Sequence, residues 1–219
     1  ASQNINFCLK GAHMTNAIIN IVREPKPGHY AQVLASVKDL FPSLDRPGNV
    51  TSTLAHPKSS NREVIISLTG LTLDEVESIM ESTESSPQFR QKFDAIAVNC
   101  NSVKVQILRV IAPPEGFAEG SKFMTRNVLM AKRGQAGKVM DVMLRWREAM
   151  EIKPLLTTPL GGNLDVVRAT VAYASLEGVA EAGLDIATNP DYQSFRDDLA
   201  ELTNSAFRSI STIVARRTP

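Results

Sequence analysis

The chain is poor in the residues that carry most enzyme chemistry. Two cysteines, three histidines and one tryptophan occur among 219 residues, and aromatic side chains reach only 5%. No HExxH, CxxC, GxSxG or glycine-rich phosphate loop is present, so the common zinc, redox, serine-hydrolase and nucleotide-binding signatures are missing. Long hydrophobic runs are missing as well. Apolar stretches such as Val64-Ile65-Ile66 fall far short of the roughly 18 residues that cross a bilayer, and a membrane is not an expected partner. Charge of one sign is also lacking. Residues 1–112 carry 11 Lys and Arg against 10 Asp and Glu, and residues 113–219 carry 13 against 13, which removes nucleic acid from the expected partners.

The first residues have no basic segment followed by a long apolar one, so no signal peptide is expected in the chain. Cys8 and Cys100 could pair or stay reduced; a chain this long has no need of a staple, and the expectation is unpaired thiols in a cytoplasmic protein. What is abundant is ordinary core material. Hydrophobic residues make up 43% and charged residues 21%, the balance of a globular fold.

Landmarks recur in the same order in the two halves. Met14-Thr15 and Met124-Thr125 open apolar, strand-like runs, each followed by a Gly-containing turn, Pro27-Gly28 and Ala136-Gly137. After the turns, Tyr30, Val33, Leu34, Val37, Leu40 and Phe41 stand at helical spacing, as do Val139, Val142, Met143, Trp146 and Met150. His56-Pro57 with Asn61 parallels Thr158-Pro159 with Asn163, and residues 63–71 and 165–173 read as β-branched strands. Thr72 and Ser175 then stand as N-caps of helices. Ser86-Pro87 and Asn189-Pro190 place a cap and an N1 proline at a further helix start. Residues 102–111 and 206–215 read as closing strands, giving β-α-β-β-α-β twice. The expected organisation is α+β: ferredoxin-like repeat 1 over residues 1–112, a linker over 113–121 and repeat 2 over 122–219. Each unit leaves one sheet face apolar, so the two antiparallel sheets are expected face to face.

The double β-α-β-β-α-β order, the Pro/Gly turn after strand one, and the run from Ser175-Leu176-Glu177 to Asn189-Pro190-Asp191 resemble the dimeric α/β-barrel superfamily. Antibiotic-biosynthesis monooxygenase-like and NIPSNAP-like proteins belong to it. The resemblance implies a fold shared by cofactor-independent oxygenases, isomerases, haem-degrading enzymes, haem peroxidases and proteins of no known activity. Haem-degrading members carry an asparagine on the first strand, where this chain offers Asn16 and Asn20. They also use a Trp and a haem-ligating His on or near the later helix; residues 72–98 contain neither, and the second half has no histidine. Haem is therefore disfavoured, and neither another cofactor nor a metal is expected.

Alternation along strand one sets Asn16, Ile18, Asn20 and Val22 against Ala17, Ile19 and Ile21. The second set is wholly apolar and should face the helices, which leaves Asn16 and Asn20 pointing between the sheets. Aligning the landmarks matches Asn16 to Arg126, and an inward Arg beside Asn would clamp an anion or carboxylate. His56 and Arg168 complete the candidate ligand-binding set: a histidine at a strand end, more simply a surface turn residue, and a charge interrupting an apolar strand, which lines a cavity or protects an edge. Trp146 reads as core packing, Gly161-Gly162 as a hairpin turn, and no catalytic residue is assigned. Two functions stay open: an oxygenase- or isomerase-like protein holding an apolar or aromatic compound between its sheets, resembling the cofactor-independent monooxygenases, or a non-catalytic ligand-binding or stress-associated barrel. The partner is a small molecule, with a homodimer left as an open alternative to the single chain.

Overall fold

A computed structural model describes residues 16–56, 62–117 and 120–218. Met14, Thr15, Cys8, His13, Pro57 and Asn61 lie outside the described residues. The β-branched run after Asn16 forms β1 (Ala17–Pro25), and Gly28, at φ +81°, turns the chain into α1 (Tyr30–Leu40), which buries Val33, Val37 and Leu40. A 3-10 turn over Phe41–Leu44 leads to the hairpin β2 (Gly48–Ala55) and β3 (Val64–Leu71). At Gly48 only a glycine fits, because a Cβ would stand 2.1 Å from the Ser67 carbonyl oxygen. Then come α2 (Leu73–Ser85), α3 (Pro87–Ala97) and β4 (Cys100–Ala112). The order recurs as β5 (Phe123–Ala131), α4 (Ala136–Ala149), β6 (Leu155–Pro159), β7 (Val166–Tyr173), α5 (Leu176–Thr188), a 3-10 turn over Pro190–Tyr192, α6 (Gln193–Leu202) and β8 (Thr203–Arg217).

The expected caps form. Thr72 Oγ1 accepts from Glu75 N–H at 3.2 Å while Glu75 Oε2 accepts from Thr72 N–H at 2.9 Å, a reciprocal capping box. Ser175 accepts from Gly178 N–H, and Ser86 from Phe89 N–H. Asn189 caps the 3-10 turn through Asp191 N–H, so α6 starts three residues after Pro190. Replacing Thr72 with alanine should cost about 1 kcal/mol, read from the urea midpoint.

All strands pair antiparallel in one closed barrel of order β1-β3-β2-β8-β5-β7-β6-β4. The contacts β2–β8 and β4–β6 join the halves edge to edge. The sheets expected to face each other are thus opposite walls of a single barrel. The helices pack outside. Ala17, Ile19 and Ile21 meet Val33, Val37 and Leu40 in one core, and Leu129, Ala131 and Val167 meet Val139, Trp146 and Leu199 in another. Strand lengths correct the landmark alignment. Both β1 and β5 span nine residues, and the fourth of each is Asn20 and Arg126, so Arg126 matches Asn20 rather than Asn16.

Candidate functional site

Of the five residues singled out above, the structure brings two onto neighbouring strands inside the barrel. Arg126 is 6% exposed and donates to Ser211 Oγ and Thr51 Oγ1, both at 3.1 Å. Arg168 sits on β7, where Val128 is its partner and Thr170 is the partner of Arg126, so the two arginines are diagonal neighbours. Its Nη2 donates to Gln106 Oε1 at 3.2 Å. Asn20 is buried and inward, but β1 lies four strands from β5 in either direction around the barrel. Asn16 is exposed ahead of β1, where its carbonyl accepts from Val110 N–H. His56 follows β2 and packs edge-on against Phe207, ring centroids 5.5 Å apart. Burial lowers the Arg126 pKa to about 9, with Arg168 adding to the fall and Glu63 opposing it.

The large cavity lies on the other side of the barrel wall. A space of about 750 Å³ separates the outer face of β5, β7 and β8 from α4, α5 and α6. Its floor is Leu129, Ala169, Val171 and Ala206; its roof is Met143, Trp146, Ala182, Ile186 and Leu199. It exists because small residues occupy the sheet and α5 where bulky ones would close the layer. Trp146 stacks on Phe195, centroids 5.8 Å apart and planes 9° from parallel, and tilts against Tyr192. It is core, as its spacing predicts, and it also lines the cavity.

One edge of this apolar space is polar. Arg208 Nε donates to Asn127 Oδ1 at 2.6 Å, and both residues line the cavity together with Tyr173. The close approach of Arg208 to α5 rests on Gly183, where a Cβ would stand 2.8 Å from Arg208 Nη1. Burial pushes the Tyr173 phenol up, against the pull of Arg208; burial also raises Tyr192, with Asp185 and Asp191 adding to it. Both phenols therefore keep their protons at neutral pH.

None of the five expected residues lines this cavity. Its one local trace in the sequence is Asn127, a polar residue that follows Thr125 on the helix-facing side of β5 and does not by itself mark a cavity. Among the described residues no group of three His, Cys, Asp or Glu could hold a metal ion, and no histidine lines the cavity. The donor set does not fit a histidine-ligated haem.

No family model matches the sequence, and no curated protein is significantly similar to it. Solved structures are similar in fold. A candidate monooxygenase of Fusobacterium nucleatum matches at 9% identity over 93% of this chain and 94% of its own, with TM-score 0.68. An anthrone oxidase-like protein matches at 12% identity over 94% of each chain, with TM-score 0.61. A chlorite dismutase variant of Candidatus Nitrospira defluvii matches at 10% identity over 91% of each chain, with TM-score 0.51. At such identity the likeness shows that this chain shares their fold, a closed antiparallel barrel with helices outside.

Proposed function

We propose that this protein binds a flat, largely apolar aromatic compound in the cavity between α4–α6 and the barrel, and acts on it as an oxygenase- or isomerase-like enzyme. We also read residues 1–112 and 122–219 as internal repeats joined by the linker 113–121, of which the second carries the ligand. The observation that carries the reading is the cavity itself. Its volume suits a drug-sized ligand, its floor and roof are apolar, and Asn127, Arg208 and Tyr173 offer polar groups at one edge to orient a ligand oxygen. Compounds of the anthrone type combine these properties, with a polycyclic body and one carbonyl, and one structural neighbour is named for that chemistry.

A second reading keeps the binding and drops the catalysis. It is favoured by the absence of histidine and cysteine from the lining, which leaves carboxylates, phenols and two guanidinium groups for any proton transfer.

The one tryptophan of the chain lines the cavity, so its emission reports occupancy. Anthrone should quench Trp146 saturably. Replacing Ala206 with phenylalanine, on the cavity floor, should weaken binding at least tenfold, about 1.4 kcal/mol, without lowering the thermal midpoint. Oxygen uptake on adding anthrone separates enzyme from binder. Unchanged affinity in Ala206→Phe would discard the cavity as the site.

A further inference from the structure

The inside of the barrel, a space separate from the cavity above, carries more positive charge than its neighbours neutralise. Among the described residues Arg126 reaches only the hydroxyls of Thr51 and Ser211, and Arg168 only the amide oxygen of Gln106. Neither guanidinium takes part in an ion pair of 4.0 Å or less among the described residues. Each guanidinium has five N–H donors, of which these contacts use two in Arg126 and one in Arg168. Glu63 is the carboxylate that acts on both, and it does so without a hydrogen bond to either. Two like charges on adjacent strands repel each other, and a buried cation is costly unless an anion accompanies it. The hydroxyl and amide partners hold the two side chains in place without cancelling their charge.

Among the described residues the wall beside Arg168 has a gap. β6 is five residues long and pairs with β4 only over Leu108 to Ala112, against thirteen residues in β4 itself. Before Ile107, whose carbonyl accepts from Leu160 N–H at 2.9 Å, β4 has β1 on one side and, among the described residues, no strand on the other. Gln106 stands exposed at this gap, and the half-buried Arg168 reaches across to it. Asn20 is the register partner of Gln106, so a second amide-bearing strand position lies at the same level.

We propose that Arg126 and Arg168 form an anion site inside the barrel, entered through the gap between β4 and β7, that takes a small oxyanion or a carboxylate. Carboxylate, sulfate and phosphate share the planar or tetrahedral oxygens that a guanidinium grips with two parallel N–H donors. Occupancy would supply the negative charge that Glu63 alone does not.

Calorimetric titration of the full chain with inorganic phosphate and, separately, with acetate tests this, with chloride at matched ionic strength as the background. A saturable, one-site isotherm is expected for at least one of the two, and the stronger arm tells an inorganic oxyanion from a carboxylate. Arg168→Gln should weaken that binding at least tenfold, and Arg168→Lys should weaken it while keeping the charge. Lys132→Gln, on the surface beyond β5, should leave it unchanged. The proposal is overturned if neither anion binds above the chloride background. It is equally overturned if whichever Arg168 variant folds keeps wild-type affinity, or if Lys132→Gln loses as much as Arg168→Gln.

Discussion

Replacing Arg23 with leucine should make the protein more stable at neutral pH, by about 1–4 kcal/mol. Arg23 is the seventh residue of β1 and points outward under α3, where it is 0% exposed and its guanidinium lies 4.9 Å from the Phe93 ring centroid. None of its three nitrogens has a hydrogen-bond partner among the described residues. The ring face returns about 0.5–2 kcal/mol, less than an unpaired buried ion loses in leaving water. The seventh residue of β5 is Leu129, which does the same packing job without a charge, so the substitution copies what the other half already uses. Burial lowers the Arg23 pKa to about 10, with Cys100 opposing the fall slightly. The folded state then binds fewer protons than the unfolded one between about pH 10 and the ordinary value, so the penalty is whole below pH 10 and fades above it. Urea unfolding at pH 7 should show the gain, with roughly 2–4 °C of thermal midpoint per kcal/mol, and the difference between variant and wild type should narrow above pH 10. A variant less stable than wild type at pH 7 would mean that the ring contact and Cys100 outweigh the desolvation.

The parts of this fold that were legible in the sequence are those written in neighbouring residues. Thr72, Ser86, Ser175 and Asn189 announce helix starts because each cap bond spans two or three residues. The alternation that sends Asn20 inward and Ile19 outward is likewise local. Register is not. The Met-Thr landmarks slide β1 against β5 by four residues, and only the strand ends, fixed by hydrogen bonds to β4 and β8, match Arg126 to Asn20. The cavity was out of reach for a related reason. Asn127 and Arg208 are 81 residues apart, on β5 and β8, and each alone reads as an ordinary polar strand residue. An empty space is defined by what small residues such as Ala169, Ala182 and Ala206 leave unfilled, and no spacing rule encodes it.

Arg147 shows the opposite balance from Arg23, and replacing it with methionine should cost about 1–3 kcal/mol. It is as deeply buried as Arg126, yet every arm of its guanidinium is used. Nε donates to the Pro154 carbonyl at 3.2 Å, Nη1 to Glu148 Oε1 at 2.9 Å, and Nη2 to the Pro113 carbonyl and to Glu115 Oε1 at 2.8 Å. Those acceptors come from the segment that leaves β4, from α4 and from the approach to β6, so one side chain ties the crossing between the halves to the helix that roofs the cavity. Lys153 closes the network on the same carboxylates, at 3.2 Å from Glu115 and 2.9 Å from Glu148. Methionine fills much of the volume but strands two main-chain carbonyls, each of which then lacks its donor. The pH dependence follows from the carboxylates. Hydrogen bonds from Arg147 and Lys153 hold Glu115 below the usual range, and those from Lys153 and then Arg147 do the same for Glu148. The stability they add is present above the ordinary carboxylate pKa and is lost as pH falls through their depressed values, so acid should narrow the gap between wild type and Arg147→Met. Because Met143, Trp146 and Met150 share α4 or its end with Arg147, loosening it should also shift Trp146 emission before global unfolding. A stability loss under about 1 kcal/mol, the same at pH 7 and at pH 3, would show that solvent replaces these bonds and that Arg147 does not hold the crossing in place.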